Sequence, residues 1–285
     1  MERTWECGGY DLRLGLRTVV MGVVNLDPDS FSGDAVSGEA AFEHAMGLIA
    51  AGAGILDIGG ESTRPGAPPV PTEVELDRVI PLVSRLRGEV SVPLCIDTTK
   101  AAVARAALYN GANIINDISA GTFDAEMFDV LSEQDCGCVL MHLRGTPTTM
   151  GWSRRHDGAG GDVIAEVRDF LGRRVAAAIE AGIMPQRIAL DPGFGFGKSV
   201  GENLELIARG RELTSLGYPL LIGTSRKSTI GKLLGDATPQ ERAWGTAATI
   251  ALAIGEGYDI VRVHDVREMA QVARVADAVI RRAVA

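Results

Sequence analysis

The sequence predicts a single (β/α)₈ barrel of the α/β class, preceded by a short N-terminal extension. Short apolar segments of strand character alternate with longer amphipathic helical segments from residue 18 onward. Eight such pairs fit in the chain, and pairs of about thirty residues suit closure into a barrel better than an open doubly wound sheet. Aromatic residues make up only 5% of the chain, so the core must consist mainly of Val, Ile, Leu and Ala, as in parallel strands buried on both faces.

The elements can be placed in order along the chain. Residues 1–17 are predicted to be the extension, with a small hairpin at the bottom of the barrel as one form it could take. Residues 18–285 form the barrel, with strands at 18–24, 54–58, 92–96, 113–116, 136–141, 187–190, 219–222 and 259–263. Each intervening helix carries one apolar stripe, and the stripe of the last helix is predicted at Met269, Val272, Val275 and Val279. No low-complexity linker interrupts this alternation, so one domain is the simplest account.

Composition and charge exclude several classes of protein. A net charge of −9 argues against a nucleic-acid partner, because such proteins usually present a basic surface to phosphates. The longest apolar runs are too short to span a membrane, and the N-terminus lacks the apolar core of a signal peptide. The four cysteines lack zinc-type spacing, although Cys136 and Cys138 come nearest to a metal-binding pair. We therefore expect a cytoplasmic protein with reduced thiols and no membrane contact.

Polar residues follow almost every predicted strand, and the carboxyl ends of all barrel strands open onto one face. The positions are Asn25, Glu61, Ser62, Thr63, Arg64, Asp97, Asn116, Asp117, His142, Asp191, Ser225, Arg226, Lys227, His264 and Asp265. Some of the acids could simply cap the helices that follow them. Asp97, Asn116 and Asp191 nevertheless form a set of planar hydrogen-bonding groups, which suits a flat heterocycle rich in N–H donors.

Cations gather at the same face although the whole chain is acidic, which indicates an anionic substrate. They are Arg64, Lys198, Arg226, Lys227 and Arg262, with His142 and His264 close by. Arg262 and His264 alternate along the last strand and therefore share one side of it. A structural ion pair inside the barrel is the alternative for Arg262.

The glycine-rich segment 191–199 does not match a nucleotide-binding loop. Pro192 stands where a Walker loop needs its first Gly, and neither dinucleotide register has its third Gly. The alternating glycines are interpreted instead as letting the backbone pass close to a flat ligand, with Phe194 as a stacking wall, although ordinary loop turns would account for them equally well.

With these residues placed, the chain resembles the dihydropteroate synthase family across almost its whole length. The motifs that carry the resemblance lie at 21–25, 28–32, 57–66, 96–98, 115–118, 141–142 with 149–150, 191–198, 225–228 and 262–265. The resemblance implies condensation of 6-hydroxymethyl-7,8-dihydropterin pyrophosphate with p-aminobenzoate, giving 7,8-dihydropteroate and pyrophosphate in folate biosynthesis. It also implies Mg²⁺ as cofactor and a homodimeric assembly. A dimer could use the small-residue stripe Ala243, Ala247, Ala248 and Ala251, although that face would serve equally well against the barrel.

The resemblance also assigns residues to the two substrates. By the resemblance, the pterin ring is bound by Asp97, Asn116, Asp191 and Lys227. Asn25 would ligate Mg²⁺ on the pyrophosphate, and Arg262 and His264 would bind the pyrophosphate oxygens. The p-aminobenzoate site would be lined by Thr63, Arg64 and Ser228, together with the loop that carries Phe31. The catalytic set is Asp97, Asp191, Lys227, Arg262 and His264. Their task would be electrostatic, because the electron-rich dihydropterin stabilises the cation left when the C–O bond breaks.

The first loop departs from the family pattern, which usually reads Asn-x-Thr-Pro-Asp-Ser-Phe-Ser-Asp-Gly-Gly. Here Asp27 stands in place of Thr, and Gly33 and Asp34 shift the second acid by one position. The departure bears on p-aminobenzoate and sulfonamide binding rather than on the pterin pocket. It also keeps open a catalytically silent pterin-binding paralogue. A second alternative is a pterin-dependent methyltransferase, which would share the barrel and the pterin acids.

Overall fold

A computed structural model describes residues 2–27, 36–151 and 160–283 of the protein. Two strands come first, β1 (Arg3–Cys7) and β2 (Tyr10–Leu14), and they pair as an antiparallel hairpin. Eight parallel strands follow: β3 (Val19–Asn25), β4 (Ile55–Gly59), β5 (Leu94–Asp97), β6 (Ile114–Asp117), β7 (Gly137–Met141), β8 (Ile188–Asp191), β9 (Leu221–Ile222) and β10 (Ile260–Val263).

The eight parallel strands close into a barrel. Their order is β8-β7-β6-β5-β4-β3-β10-β9, and the two ends of this series are joined by a parallel bridge between Leu190 and Leu220. The amide of Leu190 also donates to the carbonyl of Pro219 at 2.9 Å. An open doubly wound sheet would leave both edges unpaired, so the barrel prediction is confirmed.

The helices described by the structure lie outside the strands. They are α1 (Gly38–Ala50), α2 (Thr72–Leu86), α3 (Ala101–Tyr109), α4 (Met127–Glu133), α5 (Val163–Glu180), α6 (Val200–Ala208), α7 (Gly210–Leu213), α8 (Ser228–Leu233), α9 (Ala243–Gly255) and α10 (Val266–Ile280). Local sequence explains several starts: Asp162 accepts from the amides of Ile164 and Ala165 ahead of α5, and Ser199 forms a reciprocal capping box with Glu202 ahead of α6.

The predicted stripe of the last helix is wrong in part. Met269 is buried in α10, but Val275 and Val279 are 65% and 75% exposed. The face against the barrel is built from small residues instead, including Ala273 and Ala276, because α10 packs closely against both β3 and α9. The larger valines are therefore left on the outer side of the helix.

The interior of the barrel is built in layers. The lowest layer takes one apolar residue from each strand, namely Met21, Ile55, Cys95, Ile114, Val139, Ala189, Leu221 and Ile260. The hairpin covers it from below with Trp5, Cys7 and Leu14, and the indole of Trp5 donates to the carbonyl of Arg187 at 2.9 Å. Because side chains alternate along a strand, the next residues to face inward lie two positions further on, toward the carboxyl ends. Most of that second layer is polar.

Two further features bear on class and compartment. None of the helices in ranges 2–27, 36–151 and 160–283 is long and apolar enough to cross a membrane. The four cysteines are free and buried, and Cys136 and Cys138 lie among apolar neighbours in the core.

Candidate active site

The second layer of the barrel interior forms the floor of a pocket at the carboxyl ends of the strands. Asp97 and Asn116 come from the neighbouring strands β5 and β6, Asp191 comes from β8 beyond β7, and all three are buried. The pocket has a volume of about 330 Å³ and is also lined by Met141, Phe194, Phe196, Lys227 and Arg262. The three planar groups that the sequence analysis singled out therefore do meet around one small space.

Several acceptor atoms of this floor are left over. Oδ1 of Asp97 and Oδ1 of Asn116 are buried and have no hydrogen-bond partner among the described residues. The same holds for Oδ1 of Asp57 in β4, although Asp57 does not itself line the floor. A buried polar atom without a partner costs free energy, so such atoms commonly mark the place of a ligand. These oxygens accept hydrogen bonds, so a ligand that fits them must carry N–H donors.

Arg262 lies between two of these acids. Its Nε donates to Oδ2 of Asp57 at 2.5 Å, and one terminal nitrogen donates to Oδ2 of Asp97 at 2.8 Å. The expected alternative for Arg262, an ion pair inside the barrel, is thus present, and the same side chain also lines the open mouth above.

The sequence analysis missed Asp57. This residue is fully buried within β4, two positions beyond Ile55 of the apolar layer. The signal was a charged residue in phase with the inward positions of an otherwise apolar strand. Such a carboxylate is stable only with a partner, and Arg262 supplies it.

Burial and mutual charge shift the protonation of this cluster. Burial raises the pKa of Asp97 to about 7, against the pull of Arg262 and with added repulsion from Asp57. Burial likewise raises the pKa of Asp191 to about 6, although the amide of Gly193 donates to its Oδ1 at 2.7 Å. Burial lowers the pKa of Lys227 to about 8. Near neutral pH the pocket can therefore adjust its charge to a ligand.

One wall of the pocket is aromatic. The ammonium of Lys227 lies 4.0 Å from the centre of the Phe196 ring, so Phe196 supports this lysine from one side. Phe194 is buried beside the pocket, within the main core cluster. Gly195 has a φ of +85° and its position faces the stem of Lys227, so the backbone turns here where a side chain would crowd the lysine.

Above the floor the pocket opens into a mouth of about 830 Å³. Its lining includes Asn25, Asp27, Thr63, Arg64, Ser225, Lys227, Ser228, Arg262 and His264. His264 is oriented by Ser225, whose hydroxyl lies 2.9 Å from Nδ1 of the imidazole. The mouth thus combines several cations with hydroxyl and amide groups.

Two expected cations do not face this mouth. The ammonium of Lys198 is buried and donates to the carbonyls of His142, Gly193 and Phe196 at 3.3, 2.9 and 3.3 Å, so it ties loops together from within the protein. Arg226 pairs with Asp265 at 2.6 Å. Neither lines the mouth, because the ammonium of Lys198 is directed toward carbonyls of its own loop and of the loop after β7, and the guanidinium of Arg226 toward an acid after β10.

The remaining strand-end residues have local partners. Asp117 accepts from the amides of Ser119 and Gly121 in the loop directly after β6, and it does not cap the following helix, which begins at Met127. His142 is buried, and burial together with Lys198 lowers its pKa to about 3, so its ring stays neutral. Glu61 accepts from the amide of Val70 at 3.1 Å and pairs with Lys100, closing the loop after β4 on itself.

Part of the first loop lies outside the described residues. This part includes Phe31, Gly33 and Asp34, and a segment of the loop after β7 lies outside them as well.

The described residues contain no group of three or more His, Cys, Asp or Glu side chains that could hold a metal ion by themselves. Mg²⁺ in enzymes of phosphate chemistry is usually held by one or two protein oxygens together with substrate phosphates and water. Asn25, at the end of β3 and on the wall of the mouth, could offer such an oxygen. The residues present fit a metal that arrives with its substrate.

The comparisons with known proteins agree with this geometry. Residues 21–264 match the family model described as "Pterin binding enzyme". The chain is 48% identical to a dihydropteroate synthase of Synechocystis over 94% of this chain and 92% of that protein. The dihydropteroate synthase of Bacillus subtilis is 44% identical over 93% and 90%.

Solved structures extend the similarity to the fold. The dihydropteroate synthase of Xanthomonas albilineans with 4-aminobenzoic acid superposes with a TM-score of 0.88 at 42% identity, covering 100% of both chains. The enzyme of Burkholderia cenocepacia, complexed with 7,8-dihydropteroate, gives a TM-score of 0.85 at 42% identity and covers 99% of this chain and 98% of that one.

Proposed function

The chain belongs to the pterin-binding enzymes, and among them to the dihydropteroate synthases, and we propose that it joins 6-hydroxymethyl-7,8-dihydropterin pyrophosphate to p-aminobenzoate. The products are 7,8-dihydropteroate and pyrophosphate, which makes the enzyme a transferase of folate biosynthesis. The observation that carries the proposal is the pocket floor: buried acceptor atoms of Asp97 and Asn116 without partners, beneath a mouth lined by cations.

The floor suits a pterin ring in both shape and chemistry. A pterin is flat and carries several N–H donors, and carboxylates accept such donors in pairs. Asp97, Asn116 and Asp191 supply the acceptors, while Lys227 above the Phe196 ring supplies a donor to a ring oxygen or nitrogen. Because Asp97 and Asp191 have raised pKa values, a bound ring with its N–H groups would stabilise their charged forms.

The diphosphate would lie in the mouth. Arg262 and His264 line it and can donate to phosphate oxygens, and Asn25 would hold Mg²⁺ there together with the diphosphate. A bound Mg²⁺ would neutralise part of the leaving group's charge. Arg262 is attached to Asp97 on its other side, so it links the group that holds the ring to the group that leaves.

The reaction that this arrangement supports is a substitution at the exocyclic methylene carbon. The bond from that carbon to the diphosphate oxygen breaks and takes its electron pair to the diphosphate, and the electron-rich ring stabilises the positive charge left behind. The neutral arylamine nitrogen then bonds to the carbon and releases a proton to solvent. Buried carboxylates next to the ring favour the positive charge, so the protein's contribution is mainly electrostatic.

The second substrate would enter from the side of the loop after β4. Thr63 and Arg64 of that loop and Ser228 at the start of α8 line the mouth together. The same loop is joined to the loop after β7, since the amide of Gly66 donates to the carbonyl of Pro147 at 2.7 Å. The two joined loops would exclude water, which would otherwise capture the cation.

The experiment that tests the function is pyrophosphate release by the purified protein. Release that needs the dihydropterin pyrophosphate, p-aminobenzoate and Mg²⁺ together supports the synthase. Asp191→Asn should bind p-aminobenzoate only weakly and lose turnover, whereas full activity of this variant would contradict the assignment of the pocket. Binding of the pterin substrate without release would indicate a silent paralogue, and methyl transfer from a methylated folate would indicate the methyltransferase alternative.

The metal proposal has its own readout. If Asn25 and the diphosphate hold Mg²⁺ together, Mg²⁺ should tighten binding of pyrophosphate itself to the wild-type protein. Asn25→Ala should remove most of that gain without changing binding of the free pterin alcohol. Calorimetry with and without chelator measures both effects, and a gain that survives in Asn25→Ala would contradict the assignment.

We also propose that the protein acts in the cytoplasm as a homodimer. The free and buried cysteines fit a reducing compartment. Trp244 and Leu252 on α9 and Val279 on α10 are exposed on two helices that pack against each other, forming an apolar surface typical of an interface. Of the predicted small-residue stripe, Ala247 and Ala251 pack on the core and Ala248 is exposed.

The subunit proposal is tested by light scattering. Leu252→Glu and Val279→Glu should shift the protein from dimer to monomer at micromolar concentration, because each places a charge in a desolvated interface. Tyr109→Glu is the control, since Tyr109 is even more exposed than Leu252 and Val279 but lies on α3. A wild-type protein that is monomeric contradicts the proposal.

A further inference from the structure

A buried carboxylate joins the two segments that border the mouth after β3 and after β4. Asp27 lies two residues beyond the end of β3 and is only 5% exposed. Its Oδ2 accepts from the backbone amide of Ser62 at 2.8 Å. Its Oδ1 lies 3.4 Å from a terminal nitrogen of Arg78 on α2, and the same nitrogen donates to the carbonyl of Gly60 at 2.6 Å.

This arrangement differs from an ordinary surface ion pair. Arg85, on the same helix, pairs with Glu39 where both side chains are exposed, and such pairs contribute little. The carboxylate of Asp27 is buried, and a buried charge is retained only with partners that compensate its desolvation. Those partners here include a side chain of α2 and an amide of the neighbouring loop, so the charge fixes the separation of three chain segments.

The residues directly after the fixed amide are those that line the arylamine side of the mouth. Thr63 and Arg64 follow Ser62 immediately and line the mouth together with Ser228. The acids of the pterin pocket stand on β5 and β8 and make none of these contacts. A change at Asp27 should therefore reach the second substrate and spare the first.

We infer that Asp27 and Arg78, with the carbonyl of Gly60 and the amide of Ser62, form a latch that positions the segment 62–64 for p-aminobenzoate. Asp27 and Arg78 are positioning residues, since they act through Thr63 and Arg64. The sequence analysis noted Asp27 as a departure in the first loop, and the latch gives that departure a role: specificity for the arylamine. This inference rests on the proposed function.

The first test is kinetic and uses Asp27→Ala, Arg78→Met and the double variant. Each single change should raise KM for p-aminobenzoate about tenfold, as expected when one partner of a buried charged hydrogen bond is removed, with kcat and KM for the pterin substrate within about twofold of wild type. The double variant should be no worse than either single variant, because both remove the same latch. Asp27→Asn keeps an acceptor for the amide of Ser62, so its KM for p-aminobenzoate should lie between those of wild type and Asp27→Ala. Arg85→Met, the control on the same helix, should behave as wild type.

The second test does not depend on catalysis. The amide hydrogen of Ser62 should exchange with solvent about ten times faster in Asp27→Ala than in wild type and should change little in Asp27→Asn. Unchanged exchange in Asp27→Ala overturns the latch. If the wild-type protein releases no pyrophosphate, the proposed function is contradicted but the latch is not. The latch is still tested by amide exchange and by calorimetric binding of p-aminobenzoate, neither of which needs turnover.

Three kinetic outcomes also overturn it. KM for p-aminobenzoate could stay constant in the single variants, or the effects of the two changes could add in the double variant. A changed Mg²⁺ requirement with constant KM for p-aminobenzoate would instead make Asp27 part of the metal site.

Discussion

Replacing Asp57 by Asn should weaken binding of the dihydropterin pyrophosphate and leave binding of the pterin alcohol almost unchanged. Asp57 is fully buried and lines neither the pocket floor nor the mouth, so it can affect a ligand only through its neighbours. Its neighbour is Arg262, whose Nε donates to Oδ2 of Asp57 at 2.5 Å. Asn has the same shape but no charge, and it holds the guanidinium with a weaker hydrogen bond.

The magnitude follows from the two kinds of hydrogen bond. A hydrogen bond to a charged partner contributes about 1.5–3 kcal/mol and a neutral one about 0.5–1.5 kcal/mol. Asp57→Asn should therefore weaken the hydrogen bond to Arg262 by about 1–1.5 kcal/mol. If the diphosphate needs Arg262 in its present place, this loss appears as about tenfold weaker binding. Folding stability should change less, because Asp57 and Asp97 share one guanidinium and removal of one charge relieves their repulsion.

Calorimetry with both ligands at one pH and fixed Mg²⁺ measures this difference. Asp277→Asn is the control, because it also removes a buried carboxylate that contacts an arginine, Arg281, but does so at the lower end of the barrel. That variant should lose stability and keep both affinities.

Two results would refute the reasoning about Asp57. Equal weakening for both ligands would mean that Arg262 serves the ring through Asp97 rather than the diphosphate. Unchanged binding of both ligands would mean that Arg262 is held well enough by Asp97 alone.

Four further outcomes follow from the same region. Asp97 and Asp191, with pKa values of about 7 and 6, bind protons more tightly in the folded chain than in the unfolded one, so these two groups add stability as pH falls from about 7 toward 4. Pterin affinity should fall over the same range in titrations followed by pterin fluorescence, by up to about tenfold per pH unit between about 7 and 6, where Asp97 alone gains a proton, and by up to about a hundredfold per pH unit below about 6, where Asp191 gains one as well. Gly193→Ala should lower the free energy of unfolding by about 3 kcal/mol or more in urea, because a Cβ at residue 193 would lie 1.8 Å from the carbonyl oxygen of His142. Gly217→Ala is the control: open space surrounds residue 217, so the loss should be about 1 kcal/mol. Lys198→Met should cost about 2 kcal/mol by leaving buried carbonyls without their donor, and an unchanged midpoint would contradict that role.

The barrel could be predicted because its pattern is local and repeated. Parallel strands buried on both faces give continuous runs such as Ile114–Ile115 and Val261 with its neighbours, and the glycine and proline turns between them set the boundaries. The predicted strands differ from the observed ones by no more than two residues at either end. Closure itself was inferred from the number and length of the units and is confirmed by the bridge from Leu190 to Leu220.

The faces of the outer helices could be predicted less well. The spacing of Val275 and Val279 is that of a buried stripe, but these valines are exposed and Ala273 and Ala276 face inward. The spacing of apolar residues indicates that a helix has an apolar face, but it does not indicate which neighbouring element packs against that face. A helix that packs closely on its neighbour needs small residues there, and its larger apolar residues are then left for another surface.

At the site, sequence position located groups but did not give the direction of their side chains. Asp97, Asn116 and Asp191 meet as expected, because residues at the carboxyl ends of strands converge by geometry alone. Lys198 and Arg226 stand in equally suggestive positions and turn away from the mouth. A loop residue has no period from which its direction can be inferred.

Asp57 shows the converse case, a residue whose direction could be known and whose role could not. Its place in β4 puts it inward, one layer above Ile55, at the same depth as Asp97 and Arg262. When Asp57 and Asp97 are both charged, two buried acids against one arginine leave one negative charge in excess, and an excess charge inside a barrel is unfavourable unless a ligand compensates it. A neutral pterin with N–H donors compensates it in part, and a ring that becomes positive as the diphosphate departs compensates it more. The unfavourable free energy of the excess charge would therefore be offset most fully at the transition state. An interaction that is stronger at the transition state than with the bound substrate accelerates the reaction, whereas one of equal strength in both only tightens binding.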